Sequence, residues 1–561
     1  MNTQWWKKSV VYQIYPKSYY DSNGDGIGDL RGVIQKLDYL KELGIDVIWL
    51  SPVYQSPMDD NGYDISDYQA IAKEFGTIED MEYLIEEAAK RDIKIIMDLV
   101  VNHTSDEHPW FLESKSNVRN SKRNWYIWRN GKENGTPPTN WRSIFGGSCW
   151  EYDKQTKQYY LHTFSKKQPD LNWENPEVRD AVYNMIKWWL DKGISGFRVD
   201  AITFIKKQEG YHDVEIDSND GFGPISEASL NQKGIDQFLS ELNEKAFKPF
   251  DLLTVAEAPG VSPGELPKYV GENGYFSMLF EFDHVDLDLG KEAKWFQPHD
   301  WNLIQFKTAL SASQTIYNEL GWGALYLENH DQPRSLDKFI KPSEIGPLSA
   351  KMLATVYFLL KGTPFIYQGQ EIGMTNVAYP SIEDYDDLAS IDQYQSALKE
   401  GYSIEEALAA IWKRSRDNAR SPMQWKDSEN GGFTTSDPWL KVNGNYPSIN
   451  VESARKDKDS IFHFYKELIE LRKNSEYSDV IVFGKYQAFL EQHPQIIAYT
   501  REFQNNKIAI IANFKGKVVQ VGLDLEVKKA ILSNYANAPI DLKDLTLRPY
   551  ETVVYEIETS L

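Results

Sequence analysis

The sequence predicts an α/β fold: a (β/α)8 barrel, interrupted by a lid domain after its third strand and followed by an antiparallel β domain. Three observations carry this prediction. Short β-branched runs ending in polar residues recur at 10–16, 47–52, 94–103, 196–202, 252–259, 278–288, 324–331 and 364–371. Helical spacing separates most of them, and eight strand-then-helix units close into a barrel more readily than into an open sheet. After about residue 475 the pattern changes to the alternation of antiparallel strands.

Taken in order, helical stretches at 30–44 and 77–92 follow the first two strands. Beyond His103 there is no clean period until 174, but six tryptophans fall there: Trp110, Trp125, Trp128, Trp141, Trp150 and Trp173. An insertion at this point overhangs the carboxyl ends of the strands, where barrel enzymes place their sites. Asn175 followed by Pro176 marks a helix start for 175–193, and 303–321 again has helical spacing. The sixth strand, 278–288, is the least regular because charges interrupt its apolar pattern. A second excursion, 373–425, follows the eighth strand and is expected to form the wall opposite the lid. In the terminal domain, strands at 496–502 and 507–514 flank the turn Gln504-Asn505-Asn506, and 551–557 supplies another. The expected units are a barrel of 1–103 and 175–475, a lid of 104–174 and a terminal β-sandwich of 476–561.

Composition narrows the partners. With 61 basic and 83 acidic residues the 561-residue chain carries a formal charge of −22, and no basic stripe offsets it. Such a surface repels phosphate backbones, so nucleic acid is excluded. Aromatics reach 13%, and flat rings are a common surface for sugar stacking. Cys149 is the sole cysteine, which excludes an internal disulfide and a thiolate metal cluster. No signal-peptide run and no apolar stretch of about 20 residues is present, so a cytoplasmic monomer without membrane contact is expected.

Three acids stand at or near strand ends that converge in a barrel: Asp200 in Gly196-Phe-Arg-Val-Asp200, Glu257 in Thr254-Val-Ala-Glu257, and Asp331 in Glu328-Asn-His-Asp331. Arg198 and Asp200 share one face of a strand, so charge pairing with Arg198 favours an ionised Asp200. Single acids are often structural, but three of them with His103 and His330 also at strand ends point to chemistry. A carboxyl pair flanking a bond is what glycoside hydrolysis requires. No Gly-x-Ser-x-Gly elbow and no His-Glu-x-x-His zinc motif competes with it. Asp21, Asn23, Asp25 and Asp29, with the Ile27 carbonyl, put oxygens at positions 1, 3, 5, 9 and 7 of a calcium-type loop. Position 12 is Gly32, and on spacing alone the loop reads equally well as an Asx-rich turn without metal.

In these surroundings the sequence resembles the alpha-amylase superfamily of glycoside hydrolases, and within it the oligo-1,6-glucosidase and alpha-glucosidase group. The matching blocks are Asp98-Leu-Val-Val-Asn-His103, Gly196-Phe-Arg-Val-Asp200, Glu257 and Asn329-His-Asp331, in the family's order, with Gln168-Pro-Asp-Leu-Asn172, the block 362–371 and Arg420-Ser-Pro-Met-Gln-Trp425. The resemblance implies that Asp200 is the nucleophile, Glu257 the general acid and base, and Asp331 the acid that stabilises the transition state, with retention of configuration. It also implies a glucose subsite built from Asp60, Tyr63, His103, Phe145, Phe164, Gln168, Arg198, Ala201, His330 and Arg420, in which Arg420 pairs with Asp60 and closes the pocket so that one glucose leaves at a time. It favours a structural Ca2+ in the loop of Asp21, Asn23, Asp25, Ile27 and Asp29.

Within the group, the residue after the nucleophile tends to be Val when α-1,6 bonds are preferred and Ala or Thr when α-1,4 bonds are accepted. Here Ala201 widens the leaving-group side, whereas Pro259 resembles the α-1,6-preferring members. The expected substrate is a short α-1,6-linked oligosaccharide, with α-1,4 activity possible. An α-1,4-glucosidase (maltase), a trehalose-6-phosphate hydrolase and a sucrose-converting enzyme share the acids and are the alternatives. The phosphate-binding one needs basic residues around the leaving-group site, and 202–220 offers Lys206 and Lys207 but is otherwise acidic. The sucrose-converting one usually has an Arg-rich loop where 281–288 is acidic. A non-catalytic amylase-like module, as in amino-acid transporter heavy subunits, lacks the acids and has a membrane anchor. Glu328, where many relatives carry Asn, is left without a role.

Overall fold

A computed structural model describes residues 4–218, 220–271, 273–290 and 293–558. The outermost residues of the expected first and last units, 1–3 and 559–561, lie outside the described residues. Eight parallel strands form the core: β1 (Val11–Ile14), β2 (Val47–Leu50), β3 (Lys94–Val100), β4 (Gly196–Asp200), β5 (Leu253–Glu257), β6 (Met278–Phe280), β7 (Ala324–Leu325) and β8 (Thr363–Tyr367). Their order is β6-β5-β4-β3-β2-β1-β8-β7, and a parallel bridge between Leu279 and Gly323 brings β6 to β7, so the sheet closes on itself. Nearly every residue of these strands is buried, as expected of strands covered on both faces.

The helices begin where the sequence offers caps. Thr77 accepts from Asp80 N and Asp80 returns the bond, starting helix Ile78–Ala89. Asn175 accepts from Glu177 N ahead of helix Pro176–Asp191, with Pro176 in the first turn. Asn302 caps Leu303–Tyr317 in the same way. The stretch 30–44 is not one helix. It breaks into Leu30–Gln35 and Leu37–Leu43 at Lys36, whose φ of −106° and ψ of 4° leave the helical region.

The lid holds a three-stranded antiparallel sheet of Trp128–Arg129, Gln158–Leu161 and Trp150–Asp153. Trp128, Trp141, Trp150 and Trp173 are buried and so are not a sugar-binding surface: Trp141 and Trp150 form the lid's own small core, while Trp128 and Trp173 join the main core. The lid is also not confined to one stretch of sequence. Trp141–Arg142 pairs in parallel with Gly223–Pro224 from the loop after β4, and Arg142 binds Asp217 at 2.6 Å and Asp220 at 2.6 Å. Across the barrel mouth, the excursion after β8 forms helices Leu388–Lys399, Ile404–Arg414 and Asp417–Arg420.

The terminal domain is a five-stranded antiparallel sheet ordered Lys485–Phe489, Ile496–Phe503, Asn506–Asn513, Thr552–Ile557 and Val527–Ser533, with a ribbon of Val519–Val521 and Leu545–Leu547. The central hairpin pairs Phe503 with Asn506, leaving a two-residue turn in which Gln504 has φ +54°. One sheet face holds the barrel, with Tyr499 donating to Val356 O and Arg501 to Leu359 O, while the other packs on the ribbon. Among the described residues no helix is long and apolar enough to cross a membrane.

Candidate active site

Register brings the acids together. Arg198 on β4 lies opposite Asp98 on β3 and Val255 on β5, two residues before Glu257. Its guanidinium is 1% exposed and serves three carboxylates: Nη1 reaches Asp98 at 2.8 Å and Asp200 at 2.5 Å, and Nη2 reaches Glu257 at 2.9 Å. Glu257 Oε2 also accepts from Ala201 N at 2.9 Å. Ala201 itself adopts a left-handed conformation, φ 41° and ψ 34°, which side-chain-bearing residues seldom enter.

Electrostatics follow from this geometry. Burial raises Glu257 to about 7, with Arg198 the main opposing influence. Burial likewise raises Asp200 to about 7 against Arg198, so desolvation offsets the ionising effect expected of this arginine. Asp98 adds a further upward push on Asp200, as Asp200 does on Glu257. Asp331 behaves oppositely. Burial acts to raise it, but His330, Arg416, Arg420 and Arg198 outweigh that and hold it far below the usual carboxylate range. The charge in that balance belongs to the arginines, because burial lowers His330 to about 3 and leaves it neutral. Gln13 Nε2 donates to His330 Nδ1 at 2.8 Å, which puts the ring proton on Nε2, where it meets the Tyr63 hydroxyl at 2.5 Å, with Asp331 3.0 Å away.

The remaining residues expected in the glucose subsite surround this centre. Tyr63 stacks on His330 with a centroid separation of 5.4 Å and an interplanar angle of 6°, and donates to Asp98 at 3.1 Å. His103, lowered to about 4 by burial, contacts Tyr63 O at 3.1 Å and Gln168 at 3.2 Å. Gln168 donates to Asp60 at 3.1 Å. Phe164 packs on His103 and on Phe145.

One expected pairing is corrected. Asp60 is bound by Arg416, at 3.2 Å, and not by Arg420. Arg420 points its Nε at His330 O (3.0 Å) and its Nη2 at Asp331 (2.9 Å), and the turn of chain between the two arginines leaves Arg416 on the Asp60 side. Arg416 also reaches Asp331 at 3.3 Å and Asp387 at 2.7 Å, and its guanidinium lies 5.3 Å from the Phe145 ring. Sequence reasoning missed Arg416, Asp98 and Gln13. Two arginines four apart beside the Arg420 block were the available signal for the first; Asp98 stood in a quoted block without a role, and Gln13 had no signal.

The loop Asp21–Asp29 winds as successive Asx turns: Asp21 accepts from Asn23 N, Asn23 from Asp25 N, and Asp25 from Ile27 N. It packs against 433–436, with Thr434 donating to Asp21 and Asp21 N to Phe433 O. Among the described residues no Lys or Arg forms an ion pair with Asp21, Asp25 or Asp29, and no group of three or more His, Cys, Asp or Glu is gathered as a metal site. The donors are oxygen only, the kind a hard cation takes, but each carboxylate oxygen already accepts a hydrogen bond: Asp21 from Asn23 N, Gly24 N, Gly26 N and Thr434, Asp25 from Ile27 N and Asn23, and Asp29 from Ser22 and, as the cap of helix Leu30–Gln35, from Gly32 N.

A closed parallel barrel whose strand ends gather these carboxylates around one guanidinium is that of a glycoside hydrolase. The chain belongs to the alpha-amylase family, matching its catalytic domain over residues 13–480 and the alpha-amylase SusG C-terminal domain over 496–554. It is 51% identical to an oligo-1,6-glucosidase of Parageobacillus thermoglucosidasius, across 99% of this chain and 100% of that protein. A trehalose-6-phosphate hydrolase of Bacillus licheniformis superposes with TM-score 0.92 at 44% identity, covering 99% of this chain and 100% of that one. An isomaltulose synthase of a Klebsiella species superposes with TM-score 0.94 at 39% identity, covering 100% of both.

Proposed function

We propose that this enzyme is a retaining, exo-acting α-glucosidase that removes terminal glucose from short α-1,6-linked oligosaccharides in the cytoplasm, as a monomer. The observation that carries the mechanism is the single Arg198 guanidinium bridging Asp200 and Glu257. A bridge that short supports the separation of about 5 Å used for retention, against the wider gap that holds a water in inversion. Glu257, with its raised affinity for a proton, donates to the leaving oxygen while Asp200 attacks the anomeric carbon. It then takes a proton from the water that releases glucose. Asp331, ionised throughout, faces the oxocarbenium-like charge. The Asp60–Arg416–Asp331 bridge blocks the far end of the subsite, which supports exo cleavage.

A neutral leaving group fits better than a phosphorylated one. Lys206 is paired with Glu174, and Lys207 with Asp170 at 2.7 Å, so neither cation is free for phosphate. On the loop expected to be Arg-rich in sucrose-converting relatives, Asp286 and Asp288 are held by Arg414 at 3.3 and 2.9 Å. Isomaltose, maltose, sucrose and trehalose 6-phosphate assayed side by side test the assignment. Isomaltose is expected to be cleaved fastest, with α-glucose the first anomer seen by NMR. Faster release from maltose would overturn the linkage, and β-glucose the mechanism.

We further assign the loop as a structural Ca2+ site held by Asp21, Asn23, Asp25, the Ile27 carbonyl and Asp29. Among the described residues its three carboxylates have no basic partner, which supports this, and the ion takes no part in the chemistry.

A further inference from the structure

We propose that Glu328 is a positioning residue for Asp331, acting through a buried ion pair with Arg334. The proposal rests on the reading of Asp331 as the acid that meets the transition state. Glu328 is 2% exposed and Arg334 fully buried. Glu328 Oε1 accepts from Arg334 Nη1 at 3.1 Å and Oε2 from Ser335 N at 2.5 Å. One carboxylate thus ties together both ends of the loop that carries Asn329, His330 and Asp331. Arg334 passes the constraint on. It donates to Gln368 O, just past β8, at 2.7 Å and to Ala419 O at 3.3 Å. The residue after Ala419 is Arg420, which grips His330 O at 3.0 Å and Asp331 at 2.9 Å.

The result is a closed circuit: Glu328 to Arg334, Arg334 to the Asp417–Arg420 turn, and Arg420 back to Asp331. Hydrogen bonds alone do not hold it. A neutral side chain at 328 leaves a buried guanidinium without its counter-charge, and the loop and the arginine turn then move apart to admit water or another anion. Asp331 is the acid at the far end of the circuit, gripped by Arg420, so its position is what changes.

The test compares Glu328→Gln, isosteric but uncharged, with Glu328→Asp, charged but one methylene shorter. Each is assayed for kcat and KM on 4-nitrophenyl α-glucoside, for inhibition by 1-deoxynojirimycin, a cationic glucose mimic, and for Tm. The Gln variant is expected to lose roughly ten- to a hundredfold in kcat. Its affinity for the cationic mimic should weaken by a similar factor, while inhibition by neutral glucose stays within about threefold. The Asp variant should recover part of both losses. A Gln variant with lowered Tm but wild-type kcat and mimic affinity would overturn the proposal and leave Glu328 a structural residue. If the Gln variant does not fold, the Asp variant decides by the same readouts, with unchanged values overturning the proposal. Asp331→Asn serves as control: full activity there would mean that the reading of Asp331, not of Glu328, had failed.

Discussion

Glu257 is held at about 7 by burial, against an ordinary value near 4.3 for glutamate in an unfolded chain. A folded-state pKa above the unfolded one means that the native state binds this proton more tightly. The stability it confers is full below the unfolded pKa and is lost as pH rises toward 7. Glu257→Gln cannot ionise and escapes that loss. Its unfolding free energy relative to wild type is therefore expected to rise between pH 5 and pH 8, by on the order of 1–3 kcal/mol, read from denaturant melts at each pH. Parallel pH profiles for the two proteins would contradict this, as would a Gln variant that hydrolyses unactivated isomaltose at the wild-type rate. Ala201 is the second informative residue. At φ 41° a β-branched side chain is more strained than Ala, so Ala201→Val should cost about 1–3 kcal/mol of stability. The added methyls narrow the leaving-group side and should shift the ratio of isomaltose to maltose cleavage upward by roughly tenfold. Kinetics on both disaccharides, with a melting curve, check the two effects separately.

The lid is joined to the barrel by a buried polar knot. Asp170, with no exposed surface, accepts from Thr163 N at 2.9 Å and pairs with Lys207, which also reaches Asn102 at 3.1 Å. Lys207→Met leaves that carboxylate buried and uncompensated, which costs about 3–5 kcal/mol. Thermal unfolding should drop accordingly, and KM should rise because Gln168 and Phe164 are held by the same stretch. An unchanged Tm would count against the knot. At this scale the sequence was legible where local chemistry decides. All eight barrel strands and the cap at Asn175 were visible, because apolar runs and capping residues act within a few positions. β6 and β7 stop at Phe280 and Leu325, short of the expected 288 and 331, β6 where the charges of Glu281 and Asp283 begin. The Asp60 partner was misassigned because two arginines a turn apart carry the same charge, and only the path of the chain between them sets which acid each one meets. Lys207 and Asp170 likewise lie far apart in sequence, so no local pattern links them.

For the whole molecule, the charge of −22 is unevenly spent. Many carboxylates are matched by cations, whereas among the described residues the three in the loop 21–29 are not, and that loop also holds the segment after the excursion through Asp21 and Thr434. Chelation is accordingly expected to lower Tm by several degrees, with recovery on adding Ca2+ and little change on adding Mg2+, which binds flexible oxygen loops poorly. Melting curves insensitive to chelator would show that the loop stands without metal. The lid has a different consequence at this scale. Its floor is shared between Trp141–Arg142 and Gly223–Pro224, segments on either side of β4 in the chain. A ribosome making this protein therefore delivers half of that floor about 80 residues before the other half, so the lid cannot finish folding on its own. For the same reason it is not a cassette. A chimera that imports only 104–174 from a relative would bring one side of the Arg142–Asp220 seam without the other, whereas exchanging the lid together with the loop after β4 keeps the seam whole.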